Sequence, residues 1–382
     1  MKRLLFVVLV LFANNLFAQH GFNTFHDITF DFLEINPNAR IGGFGEVDVV
    51  GSSFYYDGGL YRNPALLSRH SKNFGVNFSY SPYMTKHFNN LNLLNLNGFY
   101  AFSSKNTIGI NFTMYDRGEK YLSDELGQYL GNEHFFDLCL QGSYSHSFNN
   151  SISTGLSVKY VKSDSLYRYE PDKRTVNAFA IDLGFNYDNQ YELNNQSLLK
   201  TSFGASISNF GPKVSYDNVE DKFLPTKLLL GLFINPDLYL SNKLRLSIEL
   251  GYQAEKYLVP TPEFTLFDSV YTNPYSDITS FQALYQSFYD APGGFSEEID
   301  EIMHKFGSEF RLNFSNSLYF ALRHGRIIEN ENKGNRKYQT FGVGGGYREF
   351  KVDFKMISFA EYESLNGTWI ISFGYRKSLD LS

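Results

Sequence analysis

The ten residues Leu244-Arg245-Leu246-Ser247-Ile248-Glu249-Leu250-Gly251-Tyr252-Gln253 decide the architecture. Successive side chains of a strand point to opposite faces. Leu244, Leu246, Ile248, Leu250 and Tyr252 therefore share one face, and Arg245, Ser247, Glu249, Gly251 and Gln253 share the other. An apolar face backed by an ionic one, over about the 9 to 11 residues a tilted strand needs to cross a bilayer, is the pattern of a membrane barrel with a polar interior. The same alternation returns upstream, where Ile152, Leu156, Val158 and Tyr160 oppose Ser153, Gly155, Ser157 and Lys159. It returns downstream, where Trp369, Ile371, Phe373 and Tyr375 oppose Ile370, Ser372, Gly374 and Arg376.

Working outward from that stretch, period-2 runs recur from residue 74 to residue 377 and make about fourteen strands. They begin near Phe74, Asn92, Thr107, Phe135, Ile152, Thr175, Thr201, Phe223, Lys243, Ile302, Leu318, Lys337, Phe350 and Thr368. The connections test this reading, because outer-membrane barrels have short periplasmic turns and longer external loops. Short polar segments follow strands two, four, ten and twelve: Ser103–Asn106, Phe148–Ser151, Ser315-Asn316 and Arg348-Glu349. Longer ones follow strands three, five, seven, nine and eleven, notably Asp116–His134 and Tyr257–Glu301, whereas those after strands six and eight are intermediate. A soluble sandwich or secreted adhesin, the competing architecture, has shorter strands and needs no such parity.

Composition agrees. Phe (38) and Tyr (28) are abundant while Trp (1) is scarce, and the mean hydropathy of -0.29 fits a wall that shows lipid only every second residue. The expected class is all-β, a transmembrane antiparallel barrel over 74–382. Lys2 and Arg3, the apolar run Leu4–Ala13 and Leu16-Phe17-Ala18-Gln19 predict a secretory signal peptide over 1–18, cleaved after Ala18. Its removal takes the formal charge from -6 to about -8, so electrostatics support no nucleic-acid partner. The single Cys139 excludes an internal disulfide framework. Residues 19–73 alternate poorly and are rich in Gly, Asn and aromatics, as suits a plug for a lumen wide enough to leak. The inward-facing Lys159, Arg245, Glu249, Glu309, Arg311 and Arg323 carry both signs of charge and are expected to pair with one another or with that plug.

Motifs of soluble enzymes are weak here. Gly42-Gly43-Phe44-Gly45 has Asp48 where dinucleotide spacing needs a third glycine. Neither it nor Gly342–Gly346 stands between strand and helix, so the glycines are read as allowing a tight plug turn or a close approach of plug backbone to the barrel wall. The eight histidines show no metal spacing, and no cofactor or metal is expected. Ser145-His146 with Asp137 or Glu133 would be the components of a hydrolytic triad, as in an outer-membrane lipid deacylase, but a chance neighbour pair explains them better and no enzyme activity is expected. Two external segments stand out: Asp290-Ala291-Pro292-Gly293-Gly294-Phe295 before Glu297-Glu298, and Lys333-Gly334-Asn335-Arg336-Lys337-Tyr338.

Several of these stretches, taken in order, resemble the PorV (LptO) family. They are Ala39-Arg40-Ile41-Gly42-Gly43-Phe44-Gly45, Arg62-Asn63-Pro64-Ala65, Ile207-Ser208-Asn209-Phe210-Gly211-Pro212-Lys213-Val214-Ser215-Tyr216, Phe223-Leu224-Pro225, Leu258-Val259-Pro260-Thr261-Pro262, and the two external segments above. The chain departs from the family at Phe54–Arg62, at Glu46–Val50 and in its ending Ser378–Ser382, which lacks a terminal aromatic. The resemblance implies an outer-membrane component of type IX secretion on a FadL-like fourteen-stranded barrel with an N-terminal plug. It implies cargo C-terminal signal domains, an SprA/Sov-type translocon, the surface sortase complex and outer-membrane lipids as partners. The plug would include Arg40, Gly42, Gly43, Asn63 and Pro64. The cargo-facing loops would include Asp290, Pro292, Gly293, Gly294 and Asn335, with Phe295 and Tyr338 as apolar anchors and Arg336 as a polar contact. A FadL-like channel for hydrophobic small molecules is the alternative expectation.

Overall fold

The computed structural model describes residues 28–378, except 52–61, 71–72, 89, 124–125, 127, 167–172, 194–196, 216–220, 262–276 and 315–316. The signal-peptide expectation over 1–18 and most of the divergent stretch before Asn63 lie outside the described residues. Fourteen antiparallel strands close into a barrel, each paired with its sequence neighbours and the first with the last. They are β1 Asn73–Pro82, β2 Asn92–Ala101, β3 Asn106–Ser123, β4 Tyr129–Ser147, β5 Ile152–Leu166, β6 Lys173–Glu192, β7 Leu198–Phe210, β8 Lys227–Ser241, β9 Leu244–Tyr257, β10 Met303–Phe314, β11 Leu318–Ile328, β12 Lys337–Tyr347, β13 Phe350–Ser358 and β14 Trp369–Ser378. Closure runs from Asn73 opposite Ser378 to Tyr80 opposite Ile371.

The decisive alternation sorts as its chemistry requires. Leu250 faces outward, as do Leu156, Val158 and Tyr160 on β5, while Ser247, Glu249 and Gln253 are buried inside. Around the rest of the lumen a lattice of amides and hydroxyls links inward polar groups: Asn95 Nδ2 donates to Asn111 Oδ1 at 2.7 Å, and the Ser79 and Ser372 hydroxyls lie 2.7 Å apart. No helix among the described residues is long and apolar enough to cross a membrane; the strands do so.

Three boundaries differ from the sequence reading, each for a physical reason. β4 starts at Tyr129, not Phe135, because the β3–β4 hairpin continues through Glu133 and His134, where no lipid face demands alternation. The connection after β3 is accordingly far shorter than Asp116–His134. β8 starts at Lys227, not Phe223: Phe223 forms a bridge with Ile28 inside the lumen and Pro225 has no N–H to donate to a ladder. The turn after β8, Asn242-Lys243, is as tight as its periplasmic counterparts rather than intermediate.

The lumen is filled by residues 28–51 and 62–70. They include a short helix α1, Ala39–Gly43, capped by the Asn38 side chain on Ile41 N, and a 3-10 turn, Pro64–His70. Their apolar side chains make small cores against the wall, such as Phe44, Val47, Val49 and Val50 with Leu229 and Phe233. Phe30, Phe32 and Leu33 pack with Cys139, Val161, Ala178 and Leu224. Two further helices, α2 Ser280–Gln286 and α3 Phe295–Asp300, lie in the long connection between β9 and β10.

Candidate functional site: a plugged lumen and its external face

Plug and wall meet through two buried ion networks. In the first, Arg40 on α1 reaches Glu249 at 2.8 Å and Glu309 at 3.3 Å; Arg311 bonds the same two carboxylates; and Arg323 joins Glu309 at 2.5 Å to Asp353 at 2.7 Å. Charges this deeply buried persist only when paired and hydrogen-bonded. Four of the six inward charges pair with one another or with the plug as expected, whereas Lys159 pairs with the wall residue Asp182 at 2.9 Å. The sixth, Arg245, pairs with Asp237 at 3.3 Å but stays half exposed at the periplasmic end.

The second network was not visible to sequence reasoning. Arg62 bonds Glu255 at 2.9 Å and approaches Asp48 at 3.6 Å, Lys305 bonds Glu255 at 2.6 Å, and Lys227 bridges Glu255 and the plug residue Glu34. Burial pushes the Glu34 carboxyl up, but Lys227, Arg62 and Arg336 outweigh it and hold the group below the usual carboxylate range. Lys227, Glu255 and Lys305 stand at inward positions near the outer strand ends, so parity was the signal that would have found them.

Glycines serve the close approaches. Gly45, at φ 70°, lies so near the wall that a Cβ there would sit 2.1 Å from Phe306 O. Gly155 and Gly184 face each other across β5 and β6, and a Cβ on Gly155 would meet the carbonyl carbon of Pro64 at 2.4 Å. Gly43 packs on Gly342, so the two glycine runs meet where plug and wall approach. Gly42 faces the Lys355 stem, and Asn63 is fully buried, donating to Val49 O at 2.7 Å. Arg40, Gly42, Gly43, Asn63 and Pro64 thus all lie in the lumen between the walls.

Among the described residues, two separate cavities lie on either side of the plug. Toward the external ends of the strands lies a cavity of about 790 Å³, lined by Tyr83, Tyr115, Tyr257, Tyr338 and Tyr362 together with charges such as Arg117, which pairs with Asp137 at 3.2 Å. Near the periplasmic end lies a cavity of about 290 Å³ around Lys200, Asp237 and Arg245. The two share no lining residue.

Above the barrel, the connection 258–302 is tied down at its base. Asp290 Oδ2 accepts from Thr261 N at 2.8 Å, Glu298 Oε1 accepts from Ala291 N at 2.9 Å, and Glu301 bonds Thr261 Oγ1 and Lys256. Lys333, from the neighbouring loop, reaches Glu301 at 3.1 Å and also Glu297. Burial raises the Asp290 carboxyl to about 7. Over this base the loop exposes Phe281 (69 %), Tyr289 (63 %) and Phe295 (80 %).

The expected cargo-facing residues therefore divide. Pro292, Gly293, Gly294 and Phe295 are on the exposed loop, and Asp290 is buried beneath them. Asn335 is half-buried, in the left-handed region at φ 52°. Arg336 is held by Glu329 at 2.7 Å, and it and Tyr338 line the external cavity. Ser145 and His146, by contrast, do not form a pair: Ser145 Oγ points inward to Ala65 O at 3.1 Å, and His146 contacts Asn106 at 2.8 Å on the other face.

The fold and the plug residues inside the lumen define the class: a plugged fourteen-stranded outer-membrane β-barrel. Comparison with protein families matches residues 23–264 to the type IX secretion system protein PorV, and the chain belongs to that family. Comparison with curated proteins finds no match. Solved structures similar in outline include the CymD monoaromatic hydrocarbon channel (12 % identity, 90 % of this chain and 99 % of that one, TM-score 0.43). A Pseudomonas aeruginosa FadL homologue (9 %, 89 % and 98 %, 0.41) and the P. putida toluene transporter TodX (9 %, 94 % and 99 %, 0.41) are others.

Proposed function

We propose that this outer-membrane barrel serves type IX secretion as a cargo adaptor, binding the C-terminal signal domain of a secreted protein at its external face. It would receive the domain at an SprA/Sov-type translocon and carry it to the surface sortase complex. The observation that supports this most is the division of the lumen: two cavities separated by salt-bridged plug residues suit a protein that holds a ligand from outside better than one that conducts it. The exposed aromatics of the 258–302 loop supply apolar anchors of the kind that dominate protein interfaces, and the tyrosine-lined cavity with its Arg117 and Arg336 supplies polar ones. A channel for hydrophobic molecules would need a continuous apolar path, and the charged lining of the external cavity does not offer one.

The test is co-purification of the detergent-extracted barrel with a tagged cargo signal domain. Replacing Phe281, Tyr289 and Phe295 together by Ala should weaken retention at least tenfold, by analogy with hot-spot truncation. Retention equal to that of the unaltered barrel removes the loop from the mechanism. Uptake of a monoaromatic hydrocarbon into liposomes carrying the pure barrel would instead favour the channel.

A further inference from the structure

The barrel wall is not equally complete around its external rim. β6 runs from Lys173 to Glu192 and pairs with β5 along its whole length, up to Leu166 opposite Lys173. Its other neighbour, β7, stops at Phe210 opposite Ile181, and the chain then turns away at Gly211-Pro212. Among the described residues, the segment of β6 above Ile181 has no strand on that side.

Which groups are left open follows from one bond and the period of a strand. Asp188 N donates to Ser151 O on the β5 side, so even-numbered residues of β6 turn their main-chain groups toward β5 and odd-numbered ones turn theirs the other way. Ser206 Oγ on β7 donates to Leu183 O at 2.9 Å, as this assignment requires. Thr175, Asn177 and Phe179 therefore direct N–H and C=O groups at the gap. Only the Phe179 carbonyl is close to Gly211, where a Cβ would lie 2.4 Å from it.

The position matters as much as the edge. Phe179, Leu183 and Tyr187 form the outward apolar face of β6, and above them Asn177 and Thr175 are polar and exposed. Tyr160 donates to Asn177 Oδ1 at 2.8 Å at this boundary. The open edge thus rises from the lipid boundary into water on the outer side. Beside it lies a notch of about 700 Å³ whose apolar side is formed by Phe179, Ile181, Phe210, Pro212, Ile278 and Phe281, with Lys213, Asp221 and Asp277 among the rest of its lining. The β3–β4 hairpin also stands clear of β5 above Asp137, but the notch lies at β6 and not there.

A water-exposed strand edge is a template for pairing with another chain, and proteins cover or blunt edges that have no use. We propose that the β6 edge at Thr175, Asn177 and Phe179 accepts an extended strand of the cargo signal domain, whose alternate side chains enter the notch against Phe179, Phe210 and Phe281. This rests on the cargo reading above and names its docking register. Main-chain bonds would give affinity that tolerates many cargo sequences, while the notch asks for an apolar residue at every second position of one face.

The test uses the full mature barrel in detergent and a purified cargo signal domain. Asn177→Pro removes an N–H that β5 does not use, and proline is tolerated at strand edges; Asn177→Ala controls for the lost Tyr160 contact. Affinity should fall at least tenfold in Asn177→Pro and stay within twofold in Asn177→Ala. Equal affinity in both and in the unaltered barrel overturns the edge while leaving cargo binding intact. No binding by the unaltered barrel overturns the cargo reading and this inference together. Should Asn177→Pro fail to fold, judged by loss of heat-modifiable migration, a photo-crosslinker at Thr175 decides. It should capture the signal domain well above one placed at Glu361 in the loop after β13. Equal capture at both sites, or capture of a second copy of the barrel instead, overturns the proposal.

Discussion

The two sides of the lumen hold the plug by different physics. Against β9–β13, helix α1 is fastened by the buried ions Arg40, Glu249, Glu309, Arg311, Arg323 and Asp353. Against β4–β6, the Pro64–His70 turn is fastened by neutral groups: Ala65 O accepts from Ser145 and Ser153, and Gly155 and Gly184 let the backbone come within van der Waals range. The ionic side is expensive to damage at one point, because removing one charge strands its partners in a dry interior. The neutral side depends on space, so adding atoms should hurt it more than removing them.

The sharpest way to break the contrast is Glu309→Ala. It leaves Arg40, Arg311 and Arg323 short of a carboxylate and should cost about 3–5 kcal/mol, read as a lowered midpoint of urea unfolding in detergent. An unchanged midpoint would mean the ionic seam holds nothing. Gly155→Val comes next: its Cβ must displace the Pro64 carbonyl carbon, at about 1–3 kcal/mol, and should free the plug for proteolysis while the barrel stays intact. Ser153→Ala, which deletes only a hydroxyl donor to Ala65 O, should cost about 0.5–1.5 kcal/mol by the same unfolding measurement. If it exceeds Gly155→Val, the neutral seam is bonded rather than shaped.

The smallest effect extends the comparison to the external loop, whose base also mixes charges. The folded carboxyl of Asp290 sits at about 7, above its ordinary 3.8, with Glu298, Glu301 and Lys256 facing it. Between those values the folded state holds the extra proton, so the loop base loses stability as pH rises from about 4 through about 7 and is firmest when Asp290 is neutral. Exchange of the Thr261 amide, which donates to Asp290, should be faster relative to reference amides at pH 8.5 than at pH 5.5. Asp290→Asn should flatten that difference, and a difference that persists in the variant would locate its cause in another group.

Much of the architecture was legible in the alternation. Fourteen strands, the short-turn and long-loop parity, and the inward sign of Glu249, Glu309, Arg311 and Arg323 follow from a period of two and a bilayer of fixed thickness. What escaped was where alternation carries no physical demand. The β3–β4 hairpin outside the membrane has polar residues on both faces, so its strands read as a loop. Phe223-Leu224-Pro225 reads as a strand start because it is apolar, although it is apolar for the lumen core and not for lipid. Tyr338 reads as a surface anchor by its loop neighbourhood, yet its first inward position on β12 turns it into the cavity.

By itself the sequence determined that the wall exists and which residues face inward, because lipid on one side and a polar interior on the other leave each strand residue two choices. Only the tertiary structure decided which inward residues meet. Arg40 reaches Glu249 and Glu309, and Arg62 reaches Glu255, across long stretches of chain, and the early end of β7 leaves the β6 edge open. Those outcomes, the β6 edge being open among the described residues, depend on register, barrel closure and the path of the plug, which a local pattern of side chains does not encode.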